Sequence, residues 1–189
     1  MDKLVKGILL KMQMEKFVDK EDVEIYQFGL ECMLLKLVHI VSYLLIGICM
    51  GELLSLLVSG SILIPLRRKA GGYHAKTRMG CYIFSCCVVF LLCLLNKVTM
   101  APVAEIVGMV AADLLIILFA PVENENRTLE HDEKVLFRRQ AIGLLILANI
   151  VISAILLIHK YLSAAHWLET GVMFTGALLA LGKKKKRQN

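Results

Sequence analysis

Six apolar runs, near residues 34–50, 53–66, 79–95, 102–121, 141–158 and 168–182, leave this chain few ways to fold. About 20 apolar residues suffice for a helix to cross the hydrocarbon core of a bilayer. Within that core, backbone polar groups must be satisfied internally, which favours helices. With 58% hydrophobic residues among 189 and a mean hydropathy of +0.69, an ordinary soluble domain is excluded. The expected fold class is all-α: a polytopic membrane helical bundle forming a single integral membrane domain over residues 1–189. The runs flanking Gly51-Glu52 are short, and the second reads either as a span or as a shallow re-entrant half of a hairpin. The expected number of membrane segments is therefore four to six. Pro65 is expected to end or bend the second run.

Charge sets the orientation. If every run crosses, 19 of the 22 Lys and Arg residues share one side, with Lys97 and Lys160 opposite and Lys36 near a boundary. The positive-inside rule makes the crowded side cytoplasmic. Both termini and the segment 67–81 then face the cytoplasm of a multi-pass cell-membrane protein. The net charge of +6 is accounted for by this topology, and nucleic acid is not an expected partner. No cleavable leader is expected, because the charged start is not followed by a short apolar run with a cleavage site. Residues 1–30 instead read as amphipathic helices. Leu4, Val5, Ile8, Leu9 and Met12 share one face of an interfacial helix whose lysines meet anionic lipid. A second helix, with Asp19 as its N-cap, runs through Val23, Tyr26 and Leu30. The tail 183–189 is a basic cytoplasmic end.

Between the second and third runs lies the polar segment Arg67-Arg68-Lys69-Ala70-Gly71-Gly72-Tyr73-His74-Ala75-Lys76-Thr77-Arg78-Met79-Gly80-Cys81. A thiol becomes a strong nucleophile once an imidazole takes its proton, and surrounding cations favour the thiolate. Gly71-Gly72 suits a sharp turn. On a continuous helix His74 and Cys81 would lie about 10.5 Å apart along the axis, too far for proton transfer. The chain must therefore bend between them. Thr77 is placed to cap a helix that carries Cys81 in its first turns, where the helix dipole also favours a thiolate.

The pattern Arg67-xxx-Gly71-Gly72-x-His74-x6-Cys81 resembles the AgrB family of bacterial membrane peptidases. Two further stretches resemble it, Tyr26-Gln27-Phe28-Gly29-Leu30-Glu31 and Ala120-Pro121-Val122-Glu123. The resemblance implies a cysteine endopeptidase that removes the C-terminal tail of a quorum-sensing peptide precursor (AgrD-like) and supports thiolactone or lactone closure. It implies Cys81 as nucleophile and His74 as base, with Arg67, Gly71 and Gly72 supporting the site, and it suggests a homodimer. No metal or organic cofactor is implied.

Other polar residues have plainer readings. Asp113, deep in the fourth run, is an interhelical hydrogen-bonding residue or the acid that orients His74. Asn149 reads as an interhelical partner and His39 as a packing or hydrogen-bonding residue. Glu123–Arg139 reads as a charged loop, and His159, His166 and Trp167 as an outer loop with an interface anchor. The six cysteines lack the spacing of a disulfide framework or a zinc site. The rival classes are a small transporter or scaffold without peptidase activity and a membrane metal-binding protein using His74 and Cys81.

Overall fold

The computed structural model describes residues 2–15, 17, 19, 22–73, 75, 77–98, 100–123, 129–158 and 161–188, with backbone alone for 2–4 and 185–188. Among the described residues there are seven helices and no strand longer than an isolated bridge. They are α1 (Asp2–Met14), α2 (Val23–Cys49), α3 (Leu53–Ala70), α4 (Arg78–Lys97), α5 (Pro102–Phe119), α6 (His131–Ile158) and α7 (Leu162–Gln188). The chain divides into two compact units, Met1–Leu45 and Ile46–Asn189.

In the first unit, α1 is the amphipathic helix expected from its pattern. Val5 and Leu9 are buried, while Lys6 and Lys11 are exposed. Met12 joins Ile25, Tyr26, Gly29, Leu30 and Met33 of α2 around a shallow apolar pocket. The expected second helix and the first apolar run are one continuous helix, because no proline interrupts Val23–Cys49. That helix begins four residues beyond Asp19 and one beyond Asp22, whose carbonyl accepts the Tyr26 N–H at 3.1 Å. His39 bonds within α2, to the Leu35 carbonyl at 2.7 Å, and meets Tyr43 edge-on.

The second unit opens on the turn that ends α2. Gly51 has φ +68, the Glu52 N–H reaches the Gly47 carbonyl at 2.8 Å, and the Gly51 N–H reaches Ile48 at 3.0 Å. This pair of bonds is the Schellman ending, and the left-handed angle is the reason a glycine sits there. α3 then runs unbroken through Pro65 to Ala70, so the proline neither ends the helix nor leaves its last turn unformed. Its 18 residues rise about 27 Å, close to a hydrocarbon thickness.

α2, α4, α5 and α6 are the helices long and apolar enough to cross a membrane by themselves. α3 and α7 fall short by composition, yet they form the centre of the second unit, packed on each other and on α4 and α6, with α5 also against α7. The reason is shielding. Ser55, Ser59, Thr170 and Thr175 are buried between helices, whereas α5 presents Val103, Ile106, Val107 and Val110 outward and α6 presents Ile146, Leu147 and Ile150. Small residues let the central helices approach. A Cβ at Gly171 would stand 2.6 Å from the Ser59 carbonyl oxygen and 2.6 Å from Ile62, and one at Gly176 would stand 2.8 Å from Ala112 Cα. Gly171→Leu is therefore expected to force α7 off α3 and to cost about 1–3 kcal/mol. Unfolding in detergent should show the loss, while Gly143→Leu, where nothing lies within 4 Å, should show none.

Candidate active site

Helix ends decide what meets what in the second unit. The end of α3, start of α4, end of α5, start of α6 and end of α7 converge, as their cross-links show. The Val122 N–H donates to the Ala70 carbonyl at 2.9 Å, the Tyr73 N–H to Leu178 at 2.9 Å, and Arg138 Nη2 to Ile117 at 3.1 Å. Lys69 lies over the Phe137 ring and Lys183 over the Phe119 ring. Arg67, Arg68, Lys69, Arg78, Lys134, Arg138, Arg139, Lys183 and Lys184 thus gather at one end. The charged stretch expected as a loop over Glu123–Arg139 is largely helical, because α6 starts at His131. Lys134 pairs with Glu123 at 2.7 Å just before residues 124–128, which lie outside the described set.

At this end the chain leaves α3 through Gly71 (φ +80, ψ −154) and Gly72 (φ +142). The first of these conformations is essentially restricted to glycine. Gly71 forms a parallel bridge with Val122, and a Cβ there would sit 2.1 Å from the Val122 carbonyl oxygen. On the other side, a Cβ at Gly182 of α7 would lie 2.6 Å from the Gly72 carbonyl carbon. The Gly-Gly segment is thus clamped between Val122 and α7. Arg67 Nη2 donates to the Tyr73 carbonyl at 2.9 Å, which fixes the residue before His74.

The expected cap is present. Thr77 is the N-cap of α4, its Oγ1 accepting the Gly80 N–H at 3.0 Å, and the Cys81 N–H bonds the Thr77 carbonyl at 2.9 Å. Cys81 is the fourth residue of the helix, a half-buried free thiol. Phe84 lies three residues on, hence on the same face. The Tyr73 ring packs on Phe84 with centroids 4.7 Å apart. Tyr73, the residue before His74, therefore lies on the face of α4 that carries Cys81. His74 and Lys76 themselves lie outside the described residues.

Asp113 takes the interhelical reading. Asn149 Nδ2 of α6 donates to Asp113 Oδ2 at 3.2 Å and to the Leu145 carbonyl at 3.1 Å. The other reading of Asp113, orientation of His74, falls on a residue outside the described set. Cys93 is buried, and Cys86 and Cys87 point to different surroundings, half-buried and exposed. His166 and Trp167 belong to α7 and not to a loop, since the helix already starts at Leu162. Sequence reasoning missed the Val122 and α7 walls of the clamp. The glycine at 182, directly before the lysine run, is the one local mark of the second.

These features define a polytopic α-helical membrane protein with a half-buried free cysteine in the first turn of α4 and a clamped Gly-Gly segment at its basic end. The profile of accessory gene regulator B (AgrB) matches residues 3–179, and the chain belongs to that family. It is 28% identical over 141 residues to an AgrB-like protein 2 of Clostridium perfringens (strain 13 / Type A), covering 70% of this chain and 66% of the relative. The same figures relate it to an AgrB-like protein of Clostridium perfringens (strain SM101 / Type A). The matched region thus spans just under two thirds of these relatives' length. No solved structure matches the chain.

Proposed function

We propose that this protein is a membrane cysteine endopeptidase that cuts the C-terminal tail from an AgrD-like peptide precursor and passes the remaining acyl group to a nucleophile of the same peptide. The observation that supports the reading is the packing of Tyr73, the residue before His74, on Phe84, which lies on the same face of α4 as Cys81.

In the proposed reaction His74 takes the Cys81 proton, and the start of α4 and the nearby cations stabilise the thiolate. Sulfur attacks a backbone carbonyl of the precursor to give a tetrahedral intermediate. His74 returns the proton to the departing amide nitrogen, so the C-terminal fragment leaves as an amine and a thioester remains on Cys81. A cysteine thiol or serine hydroxyl of the peptide then attacks that carbonyl, the ring closes as a thiolactone or lactone, and Cys81 is released with its proton. Water competes for the thioester, and a site walled by helices and lipid limits it. Arg67, Gly71 and Gly72 hold the hairpin in register. The gathered basic residues suit an acidic precursor tail and the anionic headgroups of the leaflet, and a second copy of the chain is the family's expected partner.

Co-expression with a precursor should yield cleaved peptide detectable by mass spectrometry; an intact precursor in every preparation would reject the reading. The basic end should be cytoplasmic. In a cysteine-free variant carrying Ala75→Cys, an impermeant thiol reagent should label only after the membrane is opened. Labelling in intact cells would reverse the orientation.

A further inference from the structure

At the end of the second unit opposite Cys81, three ligand-type side chains converge. Glu105 lies in the first turn of α5, and His166 and Glu169 lie three residues apart on one face of α7. One ligand atom from each lies within 4.8 Å of the other two. His166 Nδ1 is 2.6 Å from Glu105 Oε1, and its Nε2 faces the Leu95 carbonyl at 3.3 Å. Glu169 is only 8% exposed, and its carboxylate makes no hydrogen bond among the described residues.

The Leu95 carbonyl oxygen can only accept, so a hydrogen bond there calls for a proton on Nε2. At 2.6 Å, Nδ1 and the Glu105 carboxylate oxygen must share either a proton, as in an ion pair, or a cation. Two carboxylates against one imidazole leave negative charge uncompensated, and burying an unpaired carboxylate is costly. An imidazole whose far nitrogen is tied to a backbone carbonyl is the usual state of a metal-bound histidine. Just inside the cluster, Thr170 Oγ1 donates to Asn96 Oδ1 at 2.6 Å and Asn96 Nδ2 to Ser59 Oγ at 2.9 Å. That network satisfies its own members and leaves Glu169 to the cluster.

We propose that Glu105, His166 and Glu169 form a binding site for a first-row divalent cation, with zinc the best match to one imidazole and two carboxylates. Water completes the coordination. The ion ties the start of α5 to the start of α7, and through Leu95 to the end of α4, on the face away from the basic end. Its role is to fasten those helix ends, separate from the thiol chemistry.

The test uses the full-length protein in detergent with all six cysteines replaced, so that no thiolate competes. After chelation and dialysis, added zinc should bind once per chain and raise the unfolding temperature. His166→Asn and Glu169→Gln should each weaken binding by at least about 100-fold. Cobalt(II) in the unsubstituted site should give the visible absorption of a low-coordinate nitrogen and oxygen set, a readout that remains if a variant fails to fold. Absence of saturable zinc binding up to millimolar concentration would overturn the proposal, with a shared proton balancing the charge instead. So would binding that is unchanged in Glu105→Gln/Glu169→Gln.

Discussion

Cys81→Ala is expected to abolish precursor cleavage, by about 10⁴-fold or more, while leaving the protein in the membrane at normal abundance. The thiol sits half-buried in the first turn of α4, and that turn is held by Thr77 and not by the sulfur, so the substitution removes the proposed nucleophile and little packing. His74→Ala should cost a comparable amount, and the double variant little more, because the proposed base and nucleophile would act as one unit. Cys86→Ala and Cys87→Ala should keep near wild-type activity. Cys93→Ala should keep it too, with a modest loss of stability from its buried position. Near wild-type cleavage by Cys81→Ala would remove the mechanism.

Gly71→Ala is expected to silence the site without touching its chemistry. The residue holds φ +80 and ψ −154, and the added Cβ would fall 2.1 Å from the Val122 carbonyl oxygen. Backbone in that region costs about 1–3 kcal/mol for a residue with a side chain, and the overlap with a backbone oxygen cannot be relieved by a rotamer change. The bridge to Val122 should break and the Arg67–Tyr73 link should shift with it. A displacement of about 1 Å at a reacting group can cost about 100-fold in rate. The expected result is a loss of at least that size in cleavage, with membrane insertion intact. Gly143→Ala on the open side of α6 should cleave normally. An active Gly71→Ala would mean that the clamp does not position the hairpin.

Much of this arrangement is legible in the sequence because it is local. The runs at 79–95 and 102–121 coincide with α4 and α5 to within two residues, since apolar composition and flanking charge mark both ends. Thr77 as cap, and Asn149 as an interhelical partner of the kind Asp113 requires, follow from residue type and position. Pro65 does not end its run, because a missing N–H inside a packed membrane helix is tolerated when neighbours support it. α6 extends ten residues before its apolar run, as charged residues in its first turns are good helix formers at the membrane surface. The contacts that shape the site are beyond local reading. Gly71 with Val122, Tyr73 with Leu178, and Glu105 with His166 join residues far apart in the chain, and nothing in either member's neighbourhood names its partner. His166 looked like a loop residue because the polar start of α7 carries no apolar run before Leu168.

The proposed thioester on Cys81 is open to direct capture. A precursor whose ring-forming cysteine or serine is replaced by alanine can be attacked once but cannot complete the second transfer. With the wild-type membrane protein it should accumulate as a covalent precursor–enzyme adduct, stable in denaturant, mapped by mass spectrometry to Cys81 and released by neutral hydroxylamine. No such adduct should form with Cys81→Ala. Rapid appearance of a linear hydrolysed peptide with no adduct would contradict acyl transfer, and an adduct mapped to any other residue would contradict Cys81 as the nucleophile.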